Sequence, residues 1–146
     1  MNRITFAIAI QAPREQIWRS MLADATYRQW CSAFQEGSYA VTDWQPGSKA
    51  LFLTPSGNGM VSKVIAHRPN EFLSIQHLGF VKNGVEDTRS AEETGFAGAL
   101  ENYSLSGADG SSTLTIEMDV VDEYKSYFEE TWPKALAKLK QLSETP

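Results

Sequence analysis

Residues 124–142, YKSYFEETWPKALAKLKQL, decide the fold. Large apolar residues recur there at steps of four, four, four, three and three: Tyr124, Phe128, Trp132, Leu136, Leu139 and Leu142. This spacing places them on one face of a long amphipathic helix, with lysines and glutamates between them. Pro133 lies inside the helix, where the missing N–H and the ring clash predict that the helix kinks or restarts.

Seven strand-like stretches precede this helix. The clearest is Ile4–Ile10, where large apolar residues alternate with Thr and Ala as in a half-buried strand. Pro13 and Asp24 suit helix starts and predict a helix over Pro13–Ala23 and a second, short one through Trp30. The other six strands are expected at about 36–43, 48–54, 59–67, 72–79, 97–106 and 112–121.

Short dividers rich in Pro, Gly and Asn separate most of these strands, and short connections make neighbouring strands antiparallel. The residues Gly107-Ala108-Asp109-Gly110 are typical of a hairpin turn. Residues 80–95 are polar and acidic without a clear period, which predicts a long loop acting as a lid or mobile rim. We therefore predict one α+β domain over residues 1–146, a curved antiparallel seven-stranded sheet around the C-terminal helix.

Composition excludes several classes of protein. The chain of 146 residues is 42% hydrophobic and 21% charged, as in an ordinary globular domain. Its formal charge of -5 and its lack of a Lys/Arg run argue against nucleic acid and anionic lipid as partners. No stretch reaches the ~20 apolar residues of a membrane span. Residues 1–20 carry charges and amides instead of a signal peptide, so we expect a cytoplasmic protein.

The last two strands can be aligned because antiparallel partners keep a constant sum of residue numbers. A loop at Ala108–Ser111 predicts the pairs Leu105–Leu114, Tyr103–Ile116 and Glu101–Met118. Glu101 would then lie on an apolar face, where an unpaired carboxylate is costly and is often functional. It could orient a polar group of a ligand or act as a general base, whereas a one-residue bulge would turn it to solvent. Tyr103 is a candidate hydrogen-bond donor on the same face.

The remaining candidate groups predict no cofactor. His77 is in phase with Ile75 and is expected to face inward, either toward a ligand or as a hydrogen-bonded core residue. His67 lies at a turn, so the two histidines lack the spacing of a metal site. The single cysteine, Cys31, can make no internal disulfide and has no neighbouring base. The sequence contains no nucleophile elbow, Walker loop or dinucleotide fingerprint.

The element order resembles the helix-grip fold of the START and Bet v 1-like (SRPBCC) superfamily over nearly the whole chain. The likeness is greatest to the group related to the Hsp90-ATPase-activator homology domain. It is carried by Ala12-Pro13, Ile17-Trp18, Trp30, Gly47, Val61–Val64 after Gly59, and Trp132-Pro133-Lys134-Ala135-Leu136 with Leu139. The resemblance implies a cavity between the sheet and the C-terminal helix that holds apolar ligands.

The leading hypothesis is therefore a domain that binds a small hydrophobic molecule in that cavity. The expected contact residues are Trp132, Phe128, Leu136, Tyr103, Ile75 and Met118, with Glu101 and His77 as orienting polar groups. A cyclase- or aromatase-like enzyme would use the same cavity and let Glu101 or His77 move protons. An Hsp90 co-chaperone-like module is the third alternative. An edge strand such as Ile4–Ile10, or a loop rim, could support a homodimer.

Overall fold

The computed structural model describes residues 1–108 and 110–145, so Asp109 of the predicted hairpin turn lies outside the described residues, as does Pro146 of the predicted domain. The elements follow in this order: β1 (Asn2–Ile10), α1 (Arg14–Leu22), α2 (Asp24–Cys31), β2 (Tyr39–Val41), β3 (Lys49–Leu53), β4 (Gly59–Arg68), β5 (Phe72–Lys82), β6 (Val85–Asp87), α3 (Arg89–Thr94), β7 (Leu100–Ala108), β8 (Ser111–Val120) and α4 (Asp122–Glu144).

The predicted fold class is confirmed: one antiparallel sheet curves around the long C-terminal helix α4, and two short helices follow the first strand. The strand order is β1-β8-β7-β5-β4-β3-β2, so β1 and β2 lie at the two ends. Over the described residues the sheet has eight strands instead of seven, because β6 pairs with the last residues of β5. The predicted pairs of the last hairpin are all observed, including Glu101 with Met118.

Two irregularities interrupt the pairing of β4 with β5. The register shifts between Val61 and Ser62 and again between Val64 and Ala66. A bulge adds a residue to one strand, bends it and increases the local twist. These two shifts lie in the middle of the sheet, so they contribute to the curvature that lets the sheet wrap around a helix.

The C-terminal half of α4 anchors the helix to the core. Trp132, Leu136 and Leu139 are nearly or fully buried, while Tyr124 at the start of the same stripe is 51% exposed. The helix packs against β1 and both short helices. It runs without a break through Pro133, so the predicted restart is wrong. Both Pro133 and Glu129, whose carbonyl loses its helical N–H donor to the proline, are exposed, and water can satisfy that carbonyl.

The predicted long loop over residues 80–95 is also wrong. There β5 continues to Lys82, turns at Asn83-Gly84 and returns as β6, and α3 follows. Asp87 accepts a hydrogen bond from the Ser90 N–H at 3.0 Å, and Gly95 ends the helix in the left-handed conformation at φ 79°. A capping side chain and a terminal glycine thus define a helix too short to show a hydrophobic period.

Among the described residues, no helix has the length and hydropathy that a transmembrane span requires.

Candidate functional site

A cavity of about 270 Å³ lies between the sheet and the N-terminal half of α4. Aromatic rings form much of its wall, and α2, β3, β5, β7 and β8 all contribute to it. Tyr124 and Tyr127 line the cavity but are 51% and 43% exposed. The cavity therefore opens to solvent beside the first turns of α4.

Four polar side chains from three neighbouring strands form a chain of hydrogen bonds at the wall of this cavity. Ser62 Oγ lies 2.7 Å from His77 Nδ1, and His77 Nε2 lies 3.1 Å from Glu101 Oε1. The Tyr103 hydroxyl donates to the other carboxylate oxygen of Glu101. One tautomer satisfies every partner: Ser62 donates to Nδ1, and the hydrogen on Nε2 is donated to Glu101. We refer to Ser62, His77, Glu101 and Tyr103 as the polar chain.

The pleat of the sheet explains why these residues meet. Ile75 is paired with Glu101 and Leu73 with Tyr103, and paired residues share a face. His77 follows Ile75 by two residues and so lies on that face as well. The segment of β4 between the two register shifts is displaced by one residue, which brings Ser62 opposite His77. Local backbone irregularity therefore supplies the partner that fixes the imidazole.

Burial and mutual hydrogen bonding set the ionisation of the polar chain. The side chains of His77 and Glu101 are 4% and 14% exposed. Burial alone would raise the pKa of Glu101, but hydrogen bonding to His77, the electrostatic effect of that ring and the hydrogen bond from the Tyr103 hydroxyl together lower this pKa below its ordinary value. Burial and the nearby Glu101 charge raise the pKa of Tyr103 well above its ordinary value. Glu101 is thus an ionised acceptor and Tyr103 a neutral donor.

Trp132 forms the side of the cavity that belongs to α4. It is 2% exposed, and its ring centroid lies 4.9 Å from that of Phe34 and 6.0 Å from that of Trp30. Its Nε1–H donates to the sulfur of Met118 at 2.9 Å. Tyr103 lies edge-on to the same ring at 6.1 Å. The indole is therefore held in place by the residues that surround the cavity.

Six of the eight candidate residues line the cavity: Trp132, Phe128, Tyr103, Glu101, His77 and Met118. The other two, Ile75 and Leu136, do not line it. They are 1% and 3% exposed and belong to the packed core. Ile75 lies on the same face of the sheet as His77, and Leu136 lies one helical turn after Trp132. Both side chains, however, are in the region where side chains fill the space between sheet and helices.

Sequence reasoning missed part of the wall. The missed contributors come from α2 and the residues just after it, from β3 and from the segment after α3: Tyr27, Trp30, Cys31, Phe34, Phe52 and Phe96. Trp30 both packs in the core and lines the cavity. Phe96 stacks on His77 with centroids 5.7 Å apart. The capping pattern of Asp87 and Gly95 is the signal that could have placed Phe96 directly after a helix.

A second histidine supports the wall from outside. His67 Nε2 accepts a hydrogen bond from Trp18 Nε1 at 2.8 Å, so its Nδ1 carries the hydrogen and donates to the Trp44 carbonyl at 2.9 Å. The Trp44 ring lies 6.0 Å from that of Tyr27, which lines the cavity. His67 therefore fixes the segment behind the aromatic wall.

The order Ser62–His77–Glu101 is that of a serine nucleophile with its base and orienting carboxylate. Ser62 is fully buried and does not line the cavity, however, so a substrate in the cavity does not reach its hydroxyl. Its part in the polar chain is to orient His77. Among the described residues, no three His, Cys, Asp or Glu side chains cluster as metal ligands.

A curved sheet that grips a C-terminal helix over an aromatic cavity places the protein in the START-like, SRPBCC class. The family model described as Activator of Hsp90 ATPase homolog 1-like protein matches residues 11–144, and the chain belongs to this family. No curated protein matches the sequence.

Solved structures show the same fold at low sequence identity. Aha1 from Colwellia psychrerythraea, a dimer in solution, is 19% identical with a TM-score of 0.75, and 99% of this chain and 98% of that chain are covered. MLL2253 from Mesorhizobium loti is 17% identical with a TM-score of 0.73, covering 97% and 96%. DynU16, from the dynemicin biosynthetic locus, is 15% identical with a TM-score of 0.73, covering 99% of this chain and 48% of that one.

Proposed function

We propose that this protein binds a small hydrophobic molecule in the cavity between the sheet and α4. The observation that carries the proposal is an aromatic cavity of about 270 Å³ with an ionised carboxylate and a tyrosine hydroxyl in its wall. An apolar cavity of about 150 Å³ is enough to bind benzene. The space here suits a ligand about the size of two fused aromatic rings.

The proposal is supported by the kind of residues that meet in the cavity. Ligand sites in proteins combine apolar and aromatic walls with a few fixed polar groups. Trp132 and Phe128 supply such area from α4, and Met118 supplies it from β8. Glu101 and Tyr103 supply polar atoms whose positions are fixed by their mutual hydrogen bond and by His77.

Native mass spectrometry and thermal-shift measurements with a library of bicyclic aromatic compounds test this proposal. We expect at least one compound to bind to the wild-type protein and raise its melting temperature, and Trp132→Ala to weaken that binding about tenfold or more. Leu136→Ala is the matched control. Leu136 lies one helical turn after Trp132 and is similarly buried, but it does not line the cavity.

Trp132→Ala and Leu136→Ala each remove a large core side chain, so both variants should be less stable than the wild-type protein. Only the loss of binding separates them, so equal affinities in Trp132→Ala and Leu136→Ala would place the ligand elsewhere. If no compound of the library binds to the wild-type protein, a container for such ligands is refuted.

A cyclase- or aromatase-like enzyme is the second candidate, and the polar chain is the observation that favours it. Glu101 and His77 both line the cavity and lie 3.1 Å apart, so either group could exchange a proton with a bound substrate. Turnover of a bound polyketide-like substrate should then fall in Glu101→Gln and in His77→Phe. Turnover that survives both changes would remove this mechanism, and a ligand recovered unchanged from the wild-type protein favours a simple binding role.

The Hsp90 co-chaperone alternative stays a prediction. The family description refers to an activator of an Hsp90 ATPase. Stimulation of the ATPase rate of an Hsp90 by the purified protein is the measurement that decides it.

A further inference from the structure

The charges around the cavity are of one sign. Of the 24 described residues that line it, none is a lysine or an arginine, and two, Glu101 and Asp119, are acidic. The carboxylate of Asp119 accepts a hydrogen bond from Arg3 Nε at 2.8 Å and another from the Leu100 N–H at 2.9 Å. Its charge is therefore paired with a guanidinium, which also lies 3.6 Å from Glu117. Glu101 has no such partner among the cavity residues.

The hydrogen bonds of Glu101 do not neutralise it. Tyr103 donates a neutral O–H. The ring of His77 satisfies Ser62 only as the neutral tautomer, because Ser62 is fully buried and His77 Nδ1 is the acceptor of its hydroxyl hydrogen among the described residues. An imidazolium would instead donate from Nδ1 to the Ser62 oxygen, and the hydroxyl hydrogen of this buried serine would then have no acceptor among the described residues. The polar chain thus presents one net negative charge at the cavity wall.

This charge acts across the cavity. After burial, the nearby Glu101 carboxylate contributes to raising the pKa of Tyr103. It makes a smaller contribution to the raised pKa of Tyr27 on the short helix α2, where burial is the largest cause. Two hydroxyl groups on different elements are therefore exposed to the same negative potential.

The aromatic rings of the wall also favour a positively charged ligand. Eleven of the 24 described lining residues are Phe, Tyr or Trp. The faces of such rings carry negative partial charge and attract organic cations, and aromatic cages recognise ammonium groups in this way. Tyr103 contacts Glu101 through its hydroxyl, and the ring of Trp132 lies 6.1 Å from that of Tyr103, so a cation placed at the carboxylate would lie near this aromatic wall.

We propose that the ligand is a hydrophobic amine, bound with its ammonium group at Glu101 and its apolar body against the aromatic wall. The proposal rests on the binding function proposed above and names the ligand class. Glu101 is already removed from water in the folded protein, so binding adds only the desolvation of the ammonium, which the carboxylate and the rings offset. An anionic ligand such as a fatty acid would place a second negative charge beside Glu101 and is disfavoured.

Three probes of one shape test the charge preference: naphthylmethylamine, naphthylmethanol and naphthoic acid. Calorimetric titration of the full chain at neutral pH should give an affinity for the amine about tenfold or more above that of the alcohol, with the acid weakest. In Glu101→Gln the amine should lose about tenfold or more, while the affinity for the alcohol should change less than about threefold.

Asp119→Asn is the matched control, because it removes the other lining carboxylate, whose charge is already paired with Arg3. It should keep the preference for the amine. Equal affinities for the three probes, or tightest binding of the acid, would overturn the amine proposal and leave the binding function standing. Binding of none of the probes, together with no hit in the bicyclic library, would instead refute the binding function itself. The order of the three probes on the wild-type protein decides the question even if Glu101→Gln does not fold.

Discussion

The pair formed by His77 and Glu101 makes the most demanding prediction about this molecule. The change is His77→Phe, which keeps a planar ring between Phe96, stacked at 5.7 Å, and Phe52, edge-on at 6.1 Å. Packing is therefore largely retained, and the main loss is the two hydrogen bonds of the imidazole. The variant isolates the polar contribution of a side chain that is 3% exposed.

Two losses determine the size of the effect. The charged carboxylate of Glu101 loses the hydrogen bond from His77 in a largely buried position, and a hydrogen bond to a charged group is worth about 1.5–3 kcal/mol. The fully buried Ser62 hydroxyl loses its acceptor, and an unsatisfied buried group costs about 1–3 kcal/mol. We expect His77→Phe to lower the free energy of unfolding by about 3 kcal/mol or more.

A double-mutant cycle with Glu101→Gln separates this polar effect from any packing change. The amide carries no charge, so removal of His77 should cost less in the Glu101→Gln background, with a coupling energy of about 1–2 kcal/mol. Urea-induced unfolding followed by the fluorescence of the four tryptophans measures all four proteins. Additivity within about 0.5 kcal/mol would refute the reasoning, because it would mean that His77 and Glu101 do not interact in the folded protein.

Three further predictions concern pH, backbone space and assembly. Hydrogen bonding lowers the pKa of Glu101 on folding despite its burial, so the stability this group contributes is present above the ordinary pKa of a glutamate and lost as pH falls through the lowered value. Glu101→Gln should flatten that acidic fall in melting temperature, and an unchanged pH profile would contradict it. Gly59→Ala would place its Cβ 1.8 Å from the Phe52 carbonyl oxygen and should lower the free energy of unfolding by about 2 kcal/mol or more. Gly84→Ala, at φ 80° with open space around the Cβ, should lower it by only about 1 kcal/mol, and chemical denaturation measures both variants. We expect a homodimer that uses the free edge of β1, and a monomer mass in sedimentation equilibrium would contradict it.

One face of the site could be predicted from the sequence because the two-residue alternation of side chains along a strand is kept in the folded protein. The constant sum of antiparallel partners placed Glu101, Tyr103 and Met118 on the apolar face, and the observed register agrees at each pair. His77 followed from its phase with Ile75. These inferences needed only the pleat of a strand and one hairpin turn, both of which are local properties of the chain.

The missed strand β6 and helix α3 fall where local signals are weakest. β6 has only three residues and α3 only six, too few for a hydrophobic period to appear. Their existence depends on the long β5 strand, whose last residues pair with β6 beyond the end of β7. The cavity residue Phe96 depends on both missed elements, so its immediate neighbours in the sequence would not place it against His77.

The place of Ser62 in the polar chain could not be predicted because it depends on two bulges. With a constant sum set by the turn pair Arg68–Phe72, the partner of His77 would be Lys63, whose side chain is exposed. The shift between Val64 and Ala66 inserts Ile65 into β4 and so sets Ser62 against His77. The shift between Val61 and Ser62 restores the original sum beyond this pair. A small buried hydroxyl thus takes the place of a long cation.

These bulges therefore matter both for stability and for the proposed binding of an amine. With Ser62 as its partner, His77 is held as a neutral ring that ties β4 to β7 through Glu101. Ser62→Ala removes the donor to Nδ1, so the ring is no longer held with its Nε2–H toward Glu101. This variant should prefer the amine less than the wild-type protein does, because the carboxylate is then less firmly placed, and titration of the same three naphthyl probes at neutral pH measures the difference on both proteins. A folded Ser62→Ala variant that keeps the full amine preference would show that the placement of Glu101 does not depend on Ser62.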